Sequence, residues 1–250
     1  MAAGVRIAAH RGGARLRPEN SLGAFRNALA LGVDLLEADI HLTADGEPVV
    51  LHDPTLERTT TGVGPVAGAR LPDLARLRLR GPDGPTDERV PMLADLLDLL
   101  VPASAGLLLE IKVAQDGRRY PGIEAKALAQ VRARGLTSRI AAMAFEPDTL
   151  SRVRELEPGI ATILLVGRRQ TVSPVAAPAL ARALGAGGLG IDYRLLDATV
   201  LAAARQAGVS VAAWTVNEET AMRRLIDLGV DTLITDRPDL ALALLGRSRA

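Results

Sequence analysis

The sequence predicts an α/β fold, a (β/α)8 TIM barrel with a small insertion after the second strand. Three observations predict it. Short apolar runs with strand character alternate with helix-period segments along the 250-residue chain. Eight such units in a chain of this length suit closure into a barrel better than an open, doubly wound sheet. A single segment breaks the alternation, directly after the second strand. Residues 1–250 are therefore read as one barrel domain with an insertion at about 41–90.

The elements follow in order. Strand 5–10 (VRIAAH) runs into His10, Arg11 and two glycines. Helix 20–31 places Leu22, Phe25 and Leu29 on one face, with Asn20 or Ser21 as its cap. After strand 35–40 (LLEADI), Asp45-Gly46 marks a tight turn, and PVVLH at 48–52 is a further strand. A parallel return needs a crossover of about a dozen residues. The connection is far shorter, so 48–52 is expected to run antiparallel to strand 35–40. The rest of the insertion is rich in Gly, Pro, Thr and Arg, and helix 91–101 resumes the barrel. Strands 107–112 (LLLEIK), 140–145, 160–166, 188–192, 209–214 and 231–235 then alternate with helices 121–134, 147–157, 174–185, 196–207, 217–228 and 238–245.

Composition excludes several function classes. The net charge is +1, from 30 basic and 29 acidic residues, with no long run of one sign. One Trp, two Tyr and two Phe leave little for base stacking. A nucleic-acid partner is not expected. No apolar run approaches ~20 residues, so no integral membrane association is expected. The opening MAAGVRIAAH lacks a signal-peptide h-region, and a cytoplasmic location is the expectation. The chain has no cysteine, which excludes disulfides and thiolate metal sites. The sequence specifies no oligomeric state.

Candidate chemistry gathers at strand ends. Glu37 and Asp39 are two apart on a strand and share a face; Glu110 and Lys112 repeat the pattern. Both pairs lie at C-terminal strand ends, where barrels carry functional groups. Three carboxylates in one mouth repel unless one takes a proton or cations compensate. Hard oxygen donors suit Mg²⁺, Ca²⁺ or Mn²⁺, and pairing with Arg or Lys on the rim is the structural alternative. His10 ends the first strand and His52 ends the return strand. Positions 39 and 52 lie about equally far from the turn, so His52 is expected beside Asp39. Imidazole titrates near neutrality, which suits a general base and a general acid. His41 flanks the turn and is read as solvated; the alternative makes it, and not His52, the second functional histidine. Arg11 and Lys112 are candidates to hold an anion, with salt bridges to the nearby acids as the competing role. Glu19 and Asn20 either shape the mouth or, the favoured reading, serve as loop and helix cap. Trp214 either walls the pocket or packs in the core, and Phe145 is a weaker candidate of the same kind.

The blocks HRGGARLRPENSLGAF, LLEADIHLTADGEPVVLHDPTLERTTTG, VPMLADLL, LLLEIK, AAWTVN and GVDTLITDRP, in this order, resemble the glycerophosphodiester phosphodiesterase family over residues 6–239. The resemblance implies a TIM barrel with an insertion after the second strand. It places the family's two catalytic histidines on His10 and His52. Its metal carboxylates fall on Glu37, Asp39 and Glu110, for Ca²⁺ or Mg²⁺, and Arg11 and Lys112 match positions near the phosphate. It implies hydrolysis of small-molecule phosphodiesters such as glycerophosphocholine or glycerophosphoethanolamine to an alcohol and glycerol 3-phosphate. In such a family the glycerol hydroxyl attacks first, and water opens the cyclic phosphate. This chain has Ala144 before Phe145 where the family often has Ser, and its compact insertion leaves the alcohol open. A lysophospholipase D-type activity would use the same site with an apolar groove at the mouth. An inactive phosphate-binding barrel is disfavoured because both histidines and all three carboxylates are present.

Overall fold

In a computed structural model that describes residues 4–81 and 83–247, all eight expected barrel strands form. β1 (Arg6–Ala9) leads through α1 (Leu22–Leu31) to β2 (Leu35–Leu42). β3 (Pro48–Val50) returns antiparallel to β2, with Ile40 opposite Val50 and Leu42 opposite Pro48. The insertion continues through α2 (Leu71–Leu74) and a short hairpin, β4 (Arg80–Gly81) with β5 (Gly84–Pro85). α3 (Leu93–Leu100) then rejoins the barrel. The remaining order is β6 (Gly106–Ile111), α4 (Ile123–Ala133), β7 (Ile140–Ala144), α5 (Pro147–Leu156), β8 (Ala161–Val166) and α6 (Ala177–Ala183). It ends with β9 (Gly188–Asp192), α7 (Ala198–Ala207), β10 (Ser210–Trp214), α8 (Glu219–Leu228), β11 (Thr232–Thr235) and α9 (Pro238–Leu244).

The ring closes because β1 pairs in parallel with both β2 and β11. Around it the order is β1, β2, β6, β7, β8, β9, β10, β11, so β3 is the extra antiparallel strand on the β2 ladder. Among the described residues no helix is long and apolar enough to cross a membrane.

Side-chain alternation divides the core into two shells. Ala8, Leu35, Leu108, Met143, Leu165, Ala212 and Ile234 fill the barrel interior. Leu36, Ala38, Ile40, Leu107 and Leu109 face outward into a larger shell with Phe25, Leu93, Leu97 and Leu128 of the helices. Each fully buried Leu or Phe contributes about 1.5–3 kcal/mol. The insertion has an apolar cluster of its own, built from Val49, Leu51, Leu56, Val66, Leu74, Leu79 and Val90. Register carries the interior parity upward: Glu37 and Asp39 continue the face of Leu35, and Glu110 continues that of Leu108.

Ser21, not Asn20, caps α1, its hydroxyl accepting from the Ala24 N–H at 3.0 Å. β1 stops at Ala9, one residue before His10, which opens a single 3₁₀ turn over His10–Gly12. Gly12 has φ +81°, and a Cβ there would lie 2.7 Å from the Ala24 Cβ. Only glycine lets this turn sit directly on α1. β2 runs two residues past its expected end, and β6 ends one residue before Lys112.

Candidate active site

The C-terminal strand ends surround a cleft of about 440 Å³ that includes His10, Arg11, Glu37, His52, Glu110, Lys112 and Trp214 in its lining. Of the eight residues given catalytic, metal-binding or substrate-binding roles from the sequence, seven line it, and the eighth, Asp39, is fully buried beneath them. Strand pairing sets Asp39 opposite Glu110.

The turn after β1 aims its groups by backbone conformation. Arg11 is left-handed, with φ 52°, a costly region for a side-chain-bearing residue. Its N–H thereby donates to Glu37 Oε2 at 2.8 Å. Asn20 is also left-handed, with φ 56°, and buried; its Nδ2 donates to Asp39 Oδ2 at 2.9 Å. Asn20 therefore supports an acid of the cleft rather than capping the helix. Glu19 bridges two guanidiniums, accepting from Arg11 Nη1 at 2.9 Å and from Arg58.

The three acids carry uneven charge. Burial, then Asp39 and Glu110, pushes the Glu37 carboxyl well above its usual range. Burial would raise Asp39 too, but Lys112 and then Arg11 outweigh it and hold that carboxyl low. Burial pushes Glu110 up to about 7, against the opposing charge of Lys112. Lys112 Nζ lies 3.0 Å from Asp39 Oδ1 and donates to Glu110; Arg11 Nε lies 3.5 Å from Asp39 Oδ2. The salt-bridging role considered for Arg11 and Lys112 is thus realised. Glu110 has its charge partner two residues away, on the same strand face.

One oxygen from each of Glu37, Asp39 and Glu110 lies within 4.8 Å of the others. This all-carboxylate set from two adjacent strands fits a hard divalent cation.

Two histidines flank the acids, each braced by an aspartate. His10 Nδ1–H donates to Asp236 Oδ1 at 2.6 Å, and its Nε2 lies 4.0 Å from Glu37 Oε2. Asn217 in turn holds Asp236, its Nδ2 donating at 2.6 Å. His52 Nδ1–H donates to Asp53 Oδ1 at 2.6 Å, and Arg58 clamps Asp53 from the other side. A carboxylate can only accept, so Nδ1 carries a proton in both rings, and Nε2 is the nitrogen turned away from the bracing aspartate. Burial pushes His52 down to about 4.

His41 is the residue whose expected setting fails. It is 1% exposed. Its Nδ1 accepts from the Tyr120 hydroxyl at 2.9 Å, and its Nε2–H donates to the His52 carbonyl at 2.9 Å. Burial pushes it down to about 4, so this donor–acceptor arrangement belongs to a neutral ring. The segment before α4 covers this part of the hairpin, which distance from the turn did not reveal. His41 supports His52 from behind and does not line the cleft.

Trp214 lines the cleft and also packs on the barrel-interior cluster, edge-on to Phe145 with ring centroids 5.7 Å apart. Asp236, Asn217, Asp53 and Arg58 were not anticipated. Asp236 had a signal: it extends the inward parity of Thr232 and Ile234 past the end of β11. Asp53 had none, because it is adjacent to His52 and the chain turns between them.

The glycerophosphoryl diester phosphodiesterase family model matches residues 10–240. A glycerophosphodiester phosphodiesterase of Caldanaerobacter subterraneus is 30% identical over 240 residues, spanning 95% of this chain and 96% of that protein. One of Bacillus subtilis is 30% identical over 248 residues, 93% of this chain and 83% of its own length. The crystal structure of glycerophosphodiester phosphodiesterase from Agrobacterium tumefaciens superposes with a TM-score of 0.81 at 27% identity, covering 96% of this chain and 99% of that one. An Oleispira antarctica phosphodiesterase, solved in complex with the product sn-glycerol-3-phosphate, gives 0.81 at 26% identity, with 96% of each chain covered. The matched span takes in every side chain of the cleft, from His10 to Asp236, and the chain belongs to the glycerophosphoryl diester phosphodiesterase family.

Proposed function

We propose that this protein hydrolyses glycerophosphodiesters, such as glycerophosphocholine or glycerophosphoethanolamine, to an alcohol and glycerol 3-phosphate. One observation carries the proposal: two imidazoles, each braced through Nδ1 by an aspartate, flank a three-carboxylate cluster in one cleft. The Oleispira relative, with glycerol 3-phosphate bound, supports the product side.

His10 and His52 divide the proton transfers. One Nε2 takes the proton of the attacking hydroxyl, and the other histidine protonates the departing alkoxide. Asp236 and Asp53 fix each ring's tautomer and stabilise its cationic form. Arg11 and Lys112 hold the phosphate, one as a planar fork and one as a point charge. Glu37, Asp39 and Glu110 would hold one divalent cation, Ca²⁺ or Mg²⁺, with Mn²⁺ also suited to the donors. When bound, such a cation neutralises phosphate charge and lowers the pKa of a coordinated oxygen. Trp214 walls the cleft on the substrate side.

A lysophospholipase D-type activity would need an apolar apron for an acyl chain. The exposed large apolar residues among those described, Val63, Val101 and Val175, come from separate segments, and none lines the cleft.

The test is glycerol 3-phosphate release from glycerophosphocholine and glycerophosphoethanolamine, with choline and lysophosphatidate as the readout for lysophosphatidylcholine. Protein is stripped with EDTA, then supplied with Mg²⁺, Ca²⁺ or Mn²⁺. Release from the glycerophosphodiesters that stops with EDTA and returns with metal is the expected result. Release indifferent to EDTA would remove the metal from the proposal, and no release from either glycerophosphodiester under any condition would end it.

A further inference from the structure

Beside the cleft runs a second groove of about 580 Å³, and the two share a wall formed by Phe145 and Trp214. Its far side is cationic. Arg168 and Arg169 come from the loop after β8, and Arg194 from the 3₁₀ turn after β9. These strand ends open on the same barrel face as the candidate active site.

The groove is built rather than incidental. Gly167 N–H donates to Gln170 Oε1 at 2.8 Å, closing a turn with Arg168 and Arg169 at its two central positions. The Trp214 ring lies directly against Gly167: a Cβ there would be 3.1 Å from Trp214 Cη2. The loop and the shared wall are therefore locked together. Arg194 is held in a two-pronged contact by the buried carboxylate of Asp192, with Nε at 2.8 Å from Oδ1 and Nη2 at 2.6 Å from Oδ2.

Charge separates this groove from the rest of the mouth. Arg11, Lys112 and Arg58 each contact carboxylates of the cleft. In the groove, three guanidiniums meet one carboxylate, Asp192. Arg168 and Arg169 are exposed, and among the described residues neither has an acid within ion-pair distance.

Resting on the proposed phosphodiesterase activity, we infer that this groove receives the leaving alcohol and selects alcohols that carry an additional anionic group. The glycerol half of the substrate is uncharged and the same in every substrate. Apart from the phosphate, only the variable alcohol can bring an anionic group that guanidiniums recognise. With the phosphate at the cleft, that alcohol lies along the Phe145–Trp214 wall and its anion reaches Arg168 and Arg169.

Glycerophosphoserine and glycerophosphoethanolamine form a matched pair, differing by one carboxylate. The wild-type protein should favour glycerophosphoserine in kcat/KM by roughly three- to tenfold, as expected for an anion facing exposed cations. Raising ionic strength from about 0.05 to about 0.5 M should erode the preference. Arg168→Gln with Arg169→Gln should bring the ratio near parity, chiefly through the KM for glycerophosphoserine. Arg168→Glu with Arg169→Glu should reverse it. Equal wild-type rates on the two substrates would overturn the inference while leaving the proposed activity standing. A preference that survives both the double substitution and high salt would overturn it in the same way. Absence of hydrolysis of either substrate would remove the activity and the inference together.

Discussion

His41→Ala tests whether the buried side chain behind the cleft matters. The substitution removes both hydrogen bonds of the ring and its edge-on contact with Tyr120, whose centroid is 5.6 Å away. The Tyr120 hydroxyl and the His52 carbonyl then lose their partners in a site with little water access. Leaving a buried polar group unsatisfied costs about 1–3 kcal/mol, and two such groups, one of them able to relax, bring the loss to about 2–4 kcal/mol. For a chain of this size that lowers Tm by roughly 5–15 °C. The freed carbonyl also loosens the backbone that carries the His52 ring, and kcat should fall by about tenfold with KM little changed. Tyr120→Phe removes one of the two bonds and should cost about 1 kcal/mol. The assays are thermal unfolding by circular dichroism and steady-state release of glycerol 3-phosphate. A His41→Ala protein that melts within about 1 °C of the parent and turns over at the parental rate would refute the supporting role. It would restore the solvated setting expected from the sequence.

Other perturbations separate the remaining groups. His10→Ala and His52→Ala should each lower kcat by ~10²–10⁴-fold with divalent-cation affinity nearly intact; parental kinetics in both would remove proton transfer by histidine from the mechanism. Glu110→Gln keeps the side chain's shape but removes one anionic donor, so calorimetric titration with Mg²⁺ or Ca²⁺ should show weaker binding, and unchanged affinity would place the cation elsewhere. Gly12→Ala forces a Cβ against Ala24 in a left-handed turn, and chemical unfolding should show a loss of about 2 kcal/mol or more; wild-type stability would mean the turn shifts freely. Burial would raise the Asp34 carboxyl, but hydrogen bonds from Arg247 and the Ile7 N–H hold it low. A depressed folded value means this stability is present above the unfolded pKa of about 3.9 and is lost as pH falls through the folded value. The stability gap between parent and Arg247→Gln should therefore be full near pH 6 and shrink below about pH 4, and a gap that widens in acid would contradict the assigned sign.

Local spacing by itself determined the barrel and much of the cleft. The period of two put Glu37 and Asp39 on one face and Glu110 and Lys112 on one face, because neighbouring side chains on a strand must point opposite ways, while strand pairing decided that this face is the interior. The short Asp45-Gly46 connection forced β3 to run antiparallel, because it is too short for a crossover. Glycines after β1 marked the turn that carries Arg11, although the strand was expected to run through His10 and stops at Ala9. Tertiary structure alone decided what those residues meet. His10 and Asp236 are 226 residues apart and become neighbours only because β1 pairs with β11 to close the ring. His41 looked exposed from its distance to the hairpin turn, yet Tyr120, 79 positions away, covers it. The arginine groove joins loops after β8 and β9 to a wall from β7 and β10, and no stretch of sequence holds that combination. Strand parity is a property of the local backbone, whereas burial, ion pairing and the field at a side chain depend on groups that ring closure brings in from the rest of the chain.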